Sequence, residues 1–222
     1  DGGAAELFKH EGYPGAVLGV ALSDDATVAF STGSENVIRQ WTVADGAEVR
    51  SIAGHGGVVQ GLIVRGAILI SASDDGMVRQ WNTGNGAAVR SMNHGGNLRC
   101  VAVSVDGSKI ASGGTDKNAK IWNAANGAAI ATLAGAATEI TGVVFSDDES
   151  RVAVATADGV RVWGIDARPV ERVVTPATTL QGVVWSADGT SLLACRTDGK
   201  VERHSVSVSQ VLPLPDAGTT RV

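Results

Sequence analysis

The side chains best suited to covalent chemistry are a histidine, a serine and an aspartate that follow one another closely along the chain. His55, Ser73 and Asp75 are the three residue types that nucleophilic catalysis combines. Trp81 comes shortly after them. The residue types alone would therefore allow a nucleophilic active site, and the elements that carry them decide whether one forms.

The cysteines and the acidic turns are the other groups that could hold a cofactor or a metal. Cys100 and Cys195 lack the CxxC and CxxCH spacings of zinc sites and covalent haem, and both lie in apolar runs, which predicts buried free thiols. Three acidic pairs could suggest calcium: Asp24-Asp25, Asp74-Asp75 and Asp147-Asp148. No Asp-x-Asp-x-Asp-Gly loop with a distal glutamate accompanies them, so we interpret them as solvated turn residues. We expect neither a metal nor a cofactor.

The composition is typical of a soluble globular protein with a packed core. Hydrophobic residues make up 44% and charged residues 18% of the 222 residues. The formal net charge of -5 provides no basic surface for a phosphate backbone, which argues against nucleic acid as a partner. No apolar run approaches the roughly 20 residues that span a bilayer, so membrane insertion is not expected. The sequence predicts no particular cellular compartment.

A regular spacing of tryptophans organises the whole chain. Trp41, Trp81, Trp122 and Trp163 are separated by 40, 41 and 41 residues, and a further step of 41 reaches His204. Internal periods of 20 to 50 residues indicate solenoids, propellers or arrays. The spacing therefore predicts five units of the same kind.

Each unit predicts four short antiparallel strands. An apolar run comes first and ends in a turn, as in 98–103 followed by Asp106-Gly107. The strand that ends in the tryptophan is followed by another turn, such as Asp45-Gly46 or Asn85-Gly86. The runs are rich in β-branched residues and show no helical period. We therefore predict an all-β protein, a β-propeller of four-stranded antiparallel blades.

The units resemble WD40 repeats, whose signature is a Gly-His pair and a buried tryptophan in about 40 to 45 residues. Gly54-His55 stands at the expected place, and His94 stands there without its glycine. The aspartate of the Trp-Asp dipeptide is absent, as in Trp81-Asn82 and Trp122-Asn123. Short loops and Gly/Ala-rich turns suggest a bacterial-type member of the family.

The resemblance implies a structural role for the residues that could do chemistry. It places His55, Ser73, Asp75 and Trp81 at the positions of a hydrogen-bonded structural tetrad, and it assigns Trp41, Trp122 and Trp163 to the repeat core. The set is incomplete in the other units, which have Gly33 with Glu35, Gly114 with Asp116, Asp158 in a turn shorter by one residue, and Arg196 with Asp198 and His204. Partial loss of this kind favours a structural device over an active site.

We expect one domain at 1–214, with blades at about 14–52, 56–92, 96–133, 137–174 and 178–214, and a linker or tail at 215–222. Residues 2–10 read as an extra outer strand, so six outer strands accompany five sets of inner strands. Either the chain is a section of a larger, seven-bladed ring, or residues 2–10 close the fifth blade and 209–222 lie elsewhere. An open arc would leave unpaired strand edges, which require partner blades in cis or from another copy in trans.

Rigid blades under variable loops suit the binding of proteins or peptides. We therefore predict a non-catalytic interaction or scaffold module, a segment of a larger protein or assembly. A carbohydrate-binding propeller is the alternative, and an accessory domain of an enzyme is the third hypothesis. The candidate interaction face consists of Ser34, Arg39, Arg65, Asp74, Arg79, Thr115 and Thr197.

Overall fold

The structure, a computed structural model, describes residues 15–165, 169–174, 180–186 and 188–206. The extra strand predicted at 2–10, the outer strand predicted at 209–214 and the tail at 215–222 lie outside the described residues. The described residues form β-strands, and none forms a helix able to cross a membrane. The blade limits given above stay predictions.

The strands of the first three sheets follow one another without interruption. The first sheet consists of β1 (Val17–Leu22), β2 (Val28–Gly33), β3 (Ile38–Thr42) and β4 (Glu48–Ile52). The second consists of β5 (Val59–Arg65), β6 (Ile68–Ser73), β7 (Met77–Asn82) and β8 (Ala88–Asn93). The third consists of β9 (Leu98–Val103), β10 (Lys109–Gly114), β11 (Ala119–Asn123) and β12 (Ala129–Leu133).

The last two sheets continue the same pattern. The fourth consists of β13 (Ile140–Phe145), β14 (Arg151–Thr156), β15 (Gly159–Gly164) and β16 (Pro169–Val174). The fifth has β17 (Leu180–Trp185), β18 (Ser191–Arg196) and β19 (Val201–Ser205) within the described residues. Consecutive strands pair antiparallel in chain order within every sheet, which confirms the predicted all-β propeller architecture.

A hydrogen-bonded turn joins the first two strands in four of the sheets. In the third sheet Asp106 Oδ1 accepts hydrogen bonds from Ser104 Oγ (2.6 Å) and from the Ser108 N–H (2.8 Å). Ser104 Oγ in turn accepts from the Lys109 N–H (3.0 Å). The equivalent sets are Ser23, Asp25 and Thr27; Ser146, Asp148 and Ser150; and Ser186, Asp188 and Thr190. Turn chemistry therefore explains most of the acidic residues that precede second strands.

Apolar seams join each sheet to the next. We call the sheet face that carries the tryptophan the indole face, and its opposite the counter face. The indole face of the third sheet, with Trp122 and Leu98, packs against Val78 and Met92 on the counter face of the second sheet. Equivalent clusters join the other successive pairs of sheets. The first strands also pack in series: β1 on β5, β5 on β9, β9 on β13 and β13 on β17.

The arc is open at both ends within the described residues. Within the described residues, β17 and β1 do not pack on each other in the way that successive first strands do, as closure of a five-bladed ring would require. On the indole face of the first sheet, Val17 is 50% and Val20 is 73% exposed, whereas Val59, the equivalent of Val17 in the second sheet, is fully buried. On the counter face of the fifth sheet, Val201 is exposed.

The two cysteines differ in burial, because one lies at a seam between sheets and the other on the uncovered face of the fifth sheet. Cys100 packs against the seam between the third and fourth sheets, and burial raises the pKa of its thiol to about 12. Cys195 was predicted to be buried as well, and this prediction is wrong, because its side chain is exposed. It pairs with Val201 in the strand register, and both lie on the uncovered counter face. Both thiols are free.

The open arc predicts that Val59 and its equivalent Val17 contribute differently to the free energy of unfolding. Val59→Ala should lower the free energy of unfolding by about 2 kcal/mol, because it removes buried methyl groups from a seam. Val17→Ala should lower it by less than about 0.5 kcal/mol, because the same side chain is half exposed in the first sheet. Denaturant unfolding of both variants measures the difference. Equal losses would mean that the first sheet is covered in solution.

Candidate functional site

A closed hydrogen-bond network occupies the position of the suspected triad in the second sheet. The Trp81 indole N–H donates to Ser71 Oγ (2.8 Å), and Ser71 Oγ lies 2.7 Å from His55 Nε2. His55 Nδ1 lies 2.9 Å from Asp75 Oδ2, which also accepts from the Gly56 N–H. Because an ionised carboxylate only accepts, Nδ1 carries the imidazole proton and Nε2 accepts from the serine. Every partner is satisfied within the network.

The serine of this network is Ser71, and the prediction of Ser73 is wrong. Ser73 Oγ donates to the Gly57 carbonyl (2.9 Å) and accepts from the Asp75 N–H (3.1 Å), so it ties down the turn after β6 instead. Alternate residues of a strand project from the same face, so both serines point toward the same side. The indole reaches the one that lies ten residues before it.

A second complete tetrad lies in the third sheet, where the sequence had indicated a decayed one. The Trp122 indole N–H donates to Ser112 Oγ (2.8 Å), which lies 2.8 Å from His94 Nδ1. His94 Nε2 lies 3.2 Å from Asp116 Oδ1. Gly114 was compared with Ser73, which is not the tetrad serine, and so the set was wrongly judged incomplete.

Among the described residues, parts of the network recur in the other sheets. In the first sheet the Trp41 indole N–H donates to Ser31 Oγ (2.6 Å). The fourth and fifth sheets have Val154 and Ala194 at the serine position, by strand register. Trp163 is buried like Trp41, Trp81 and Trp122. Trp81, Trp122 and Trp163 lie in the seams between sheets, and Trp41 is buried as well, so none of the four indoles is an exposed sugar-stacking surface.

The electrostatics of both tetrads keep the histidines neutral. Burial lowers the pKa of His55 and of His94, and this outweighs the opposing effect of the paired carboxylates. Burial would raise the pKa of Asp75, but hydrogen bonds from the Gly56 N–H and from His55 outweigh it and lower that pKa. Ser71 and Ser112 are completely buried. No substrate can reach a hydroxyl placed in this way, so the arrangement is structural.

A repeated glutamine links neighbouring sheets, and the sequence analysis missed it. Gln40 Nε2 donates to the Thr83 carbonyl, and Gln80 Nε2 donates to the Ala124 carbonyl, each at 3.1 Å. Arg90 Nη1 also donates to Ala124 O and to Gln80 Oε1, both at 3.0 Å. The signal was the tripeptide Arg-Gln-Trp, which occurs twice, at 39–41 and 79–81.

The turn residues of the predicted interaction face lie at one end of the sheets, between second and third strands. We call this the central-turn end. Ser34 and Thr197 are exposed there, and Thr115 is half-buried. Asp74 is not free, because it accepts hydrogen bonds from Gln60 Nε2 (2.9 Å) and Arg99 Nη1 (3.0 Å). This network links the second and third sheets beside the inner strands.

Two of the three arginines of the predicted face reach these turns, Arg39 through Glu35 and Arg79 through Asp75 (3.7 Å). Arg39 pairs with Glu35 (2.6 Å) and Glu48 (3.0 Å) of its own sheet. Arg79 is half-buried on β7 and donates to Ser91 Oγ (2.7 Å). Arg65 lies at the opposite end, in the turn between β5 and β6. The prediction that Arg65 belongs to the central-turn end is therefore wrong. In each sheet, the turn between the first and second strands lies at the opposite end from the turn between the second and third strands.

Within the part of the chain that the structure describes, no cluster of three or more His, Cys, Asp or Glu side chains could hold a metal ion. The acidic pairs have internal partners instead. Asp24 Oδ2 accepts from the Gly66 N–H of the next sheet, Asp75 belongs to a tetrad, and Asp148 accepts from Ser146 and Ser150. Hydrogen bonds from Ser146 lower the pKa of Asp148.

Comparison with known proteins agrees with this geometry. Residues 46–82 and 86–123 match the family model WD40 (WD domain, G-beta repeat), and these two segments contain the two complete tetrads. These two segments are thus similar to WD40 repeats. It is similar to the small ribosomal subunit protein RACK1z of rice (Oryza sativa subsp. japonica), with 29% identity over 122 residues, which cover 51% of this chain and 36% of the rice protein. The chain therefore spans about a third of the length of this curated relative. A bacterial origin is not supported, since this relative is a plant protein.

Double-mutant cycles should identify the tetrad serine. Ser71→Ala should cost about 1–3 kcal/mol in unfolding free energy, because it leaves the Trp81 N–H and His55 Nε2 without a partner. Combined with Trp81→Phe, it should show a coupling energy of about 1 kcal/mol. The matched cycle of Ser73→Ala with Trp81→Phe should show coupling below about 0.5 kcal/mol. Coupling at Ser73 and none at Ser71 would contradict the geometry described above.

The buried histidines also predict a pH dependence. Because the pKa of His55 and His94 is lowered on folding, the unfolded chain binds protons first as the pH falls below about 6.5, and stability drops from there toward the folded pKa values. Urea unfolding between about pH 8 and pH 5 measures this loss. The variant with His55→Asn and His94→Asn should have a flatter profile. An unchanged slope in that variant would show that other groups cause the loss.

Proposed function

We propose that this chain is a non-catalytic scaffold that binds protein partners through the ends of its blades. The observation that carries the proposal is the internal use of the histidine, serine and aspartate side chains of the two complete tetrads. In both tetrads, histidine, serine and aspartate bind one another in the core. The exposed turn residues, by contrast, differ from sheet to sheet on a rigid framework, which is how recognition surfaces are commonly built.

The rice relative supports a role within an assembly. Its name places that protein in the small ribosomal subunit. A net charge of -5 favours contacts with proteins over contacts with a phosphate backbone. We therefore propose protein or peptide partners for this chain, inside a larger protein or complex.

We further propose that the two uncovered faces are covered by additional blades. Each internal seam joins an indole face to a counter face. The first sheet exposes Val17 and Val20 on the β1 part of its indole face, and the fifth exposes Val201 on its counter face, so the two ends have surfaces that a further blade would pair with. Such blades would come from the same polypeptide, in a seven-bladed ring, or from another copy of the chain.

The central-turn end is the partner-binding surface that we propose to test. The variant Ser34→Lys, Thr115→Lys and Thr197→Lys places three positive charges there and leaves both tetrads intact. Its matched control carries Ala44→Lys and Asp147→Lys, which add the same total charge in exposed turns at the opposite end, away from the seam between the second and third sheets. Immobilised wild-type chain and both variants are incubated with extract of the source cells, and bound proteins are quantified by mass spectrometry.

We expect the central-turn variant to lose its specific partners by at least about tenfold, because repulsive or desolvated charges at an interface cost 2 kcal/mol or more. The control variant should retain them. Thermal unfolding of all three proteins should be closely similar, since the changes lie on the surface. Equal recovery of every partner by the central-turn variant would contradict the proposal.

A further inference from the structure

A cleft of about 420 Å³ lies between the second and third sheets, at the end opposite the central turns. Ile68, Ile70, Val103 and Ala124 give it an apolar lining, and Arg65 and Asp106 lie at its polar edge. Its volume falls in the range of about 300–1,000 Å³ that is common for ligand sites.

The cleft exists because one turn is shorter than its equivalents. Val59 and Leu69 are ten residues apart, whereas the equivalent Leu98 and Ile110 of the third sheet are twelve apart. The second sheet thus has only Arg65–Ile68 where the third has Ser104–Lys109. Gly66 has a φ of 55°, in the left-handed region that glycine tolerates, which permits the tight connection. Because this connection is two residues shorter, the seam between the second and third sheets is not filled at this end.

Corresponding corners of the neighbouring seams are bridged. Between the first and second sheets, Asp24 Oδ2 accepts from the Gly66 N–H (3.0 Å). Between the third and fourth, Glu149 Oε1 accepts from the Asp106 N–H (2.6 Å), and Glu149 Oε2 pairs with Lys109 Nζ (3.1 Å). Among the described residues no such bridge spans the second and third sheets at this corner. Arg65 is exposed there, and its guanidinium has no ion pair with any described residue.

The base of the cleft is held in place by hydrogen bonds. Gln80 Nε2 and Arg90 Nη1 both donate to the Ala124 carbonyl, which fixes the two sheets relative to each other. A binding surface that is already formed loses little conformational entropy when a ligand binds. The apolar lining suits an aliphatic side chain. The planar guanidinium of Arg65 suits a carboxylate, which it can bind through two parallel hydrogen bonds.

We propose that this cleft binds a peptide in which an aliphatic side chain is adjacent to a carboxylate. The aliphatic group packs on Ile68 and Ala124, the partly exposed apolar residues of the lining, and the carboxylate pairs with Arg65. Asp106 at the same edge disfavours a second negative charge on the ligand. The inference rests on the proposed scaffold function and names the chemistry of one partner segment. It concerns the end of the blades opposite the central turns, so the two surfaces are tested separately.

The test uses the full chain labelled with ¹⁵N and the synthetic peptide acetyl-Gly-Leu-Glu-Gly-amide. We expect saturable chemical-shift changes at the amides of Gly66, Gly107 and Ala125, which surround the cleft. Peptides with Ser in place of Leu, or Lys in place of Glu, should bind at least about fivefold more weakly, as expected for loss of apolar burial or of an exposed ion pair.

Two variants locate the site. Arg65→Gln should weaken binding of the Leu-Glu peptide about fivefold, while the matched Arg203→Gln, an exposed arginine of the fifth sheet, should leave it unchanged. Replacing Arg65–Ile68 by the six residues found at 104–109 should fill the corner and abolish binding. If that graft fails to fold, the comparison of Arg65→Gln with Arg203→Gln still tests whether the peptide binds in this cleft. Absence of saturable shifts, or equal affinity of the Arg65→Gln variant, would overturn the proposal and leave the central-turn surface unaffected.

Discussion

An indole buried between two sheets needs an acceptor for its N–H, because an unpaired donor in the core costs about 1–3 kcal/mol. In the first three sheets a serine on the adjacent strand supplies that acceptor, ten residues before each tryptophan. In the second and third sheets the ring packs on the counter face of the preceding sheet. This combination sets the position of these two sheets relative to the sheets before them, and the histidine and aspartate of the tetrads extend it to the loop that enters the blade.

The tryptophan spacing predicted the five repeated units, and the apolar runs and turns within each unit predicted its antiparallel strands. The spacing works because a repeat that cannot bury its own apolar face must present the same large side chain at each seam. The tetrad serine could not be assigned in the same way. Ser71 and Ser73 share a strand face, and only the reach of the indole distinguishes them. That one misplacement also hid the tetrad of Ser112.

Other features depend on surroundings that the repeat pattern does not contain. Cys195 lies in a run as apolar as that of Cys100, yet it is exposed because no described sheet covers its face. Arg65 looked like one more surface arginine. Its position follows from a turn two residues shorter than its equivalents, which could have been found by comparing the spacing of the first two strands in each unit. Local sequence patterns predict the sheets well, and burial at the ends depends on neighbours.

The central claim is that serine hydroxyls hold the seam indoles. Hydrogen exchange of the indole Nε1–H groups, followed by two-dimensional NMR after transfer to deuterated solvent, tests it directly. The account predicts that the protons of Trp41, Trp81 and Trp122 exchange at least about a thousandfold more slowly than those of free tryptophan, since exchange requires the packing around each buried ring to open and its hydrogen bond to serine to break. Exchange of these three protons at the rate of a free indole would contradict it.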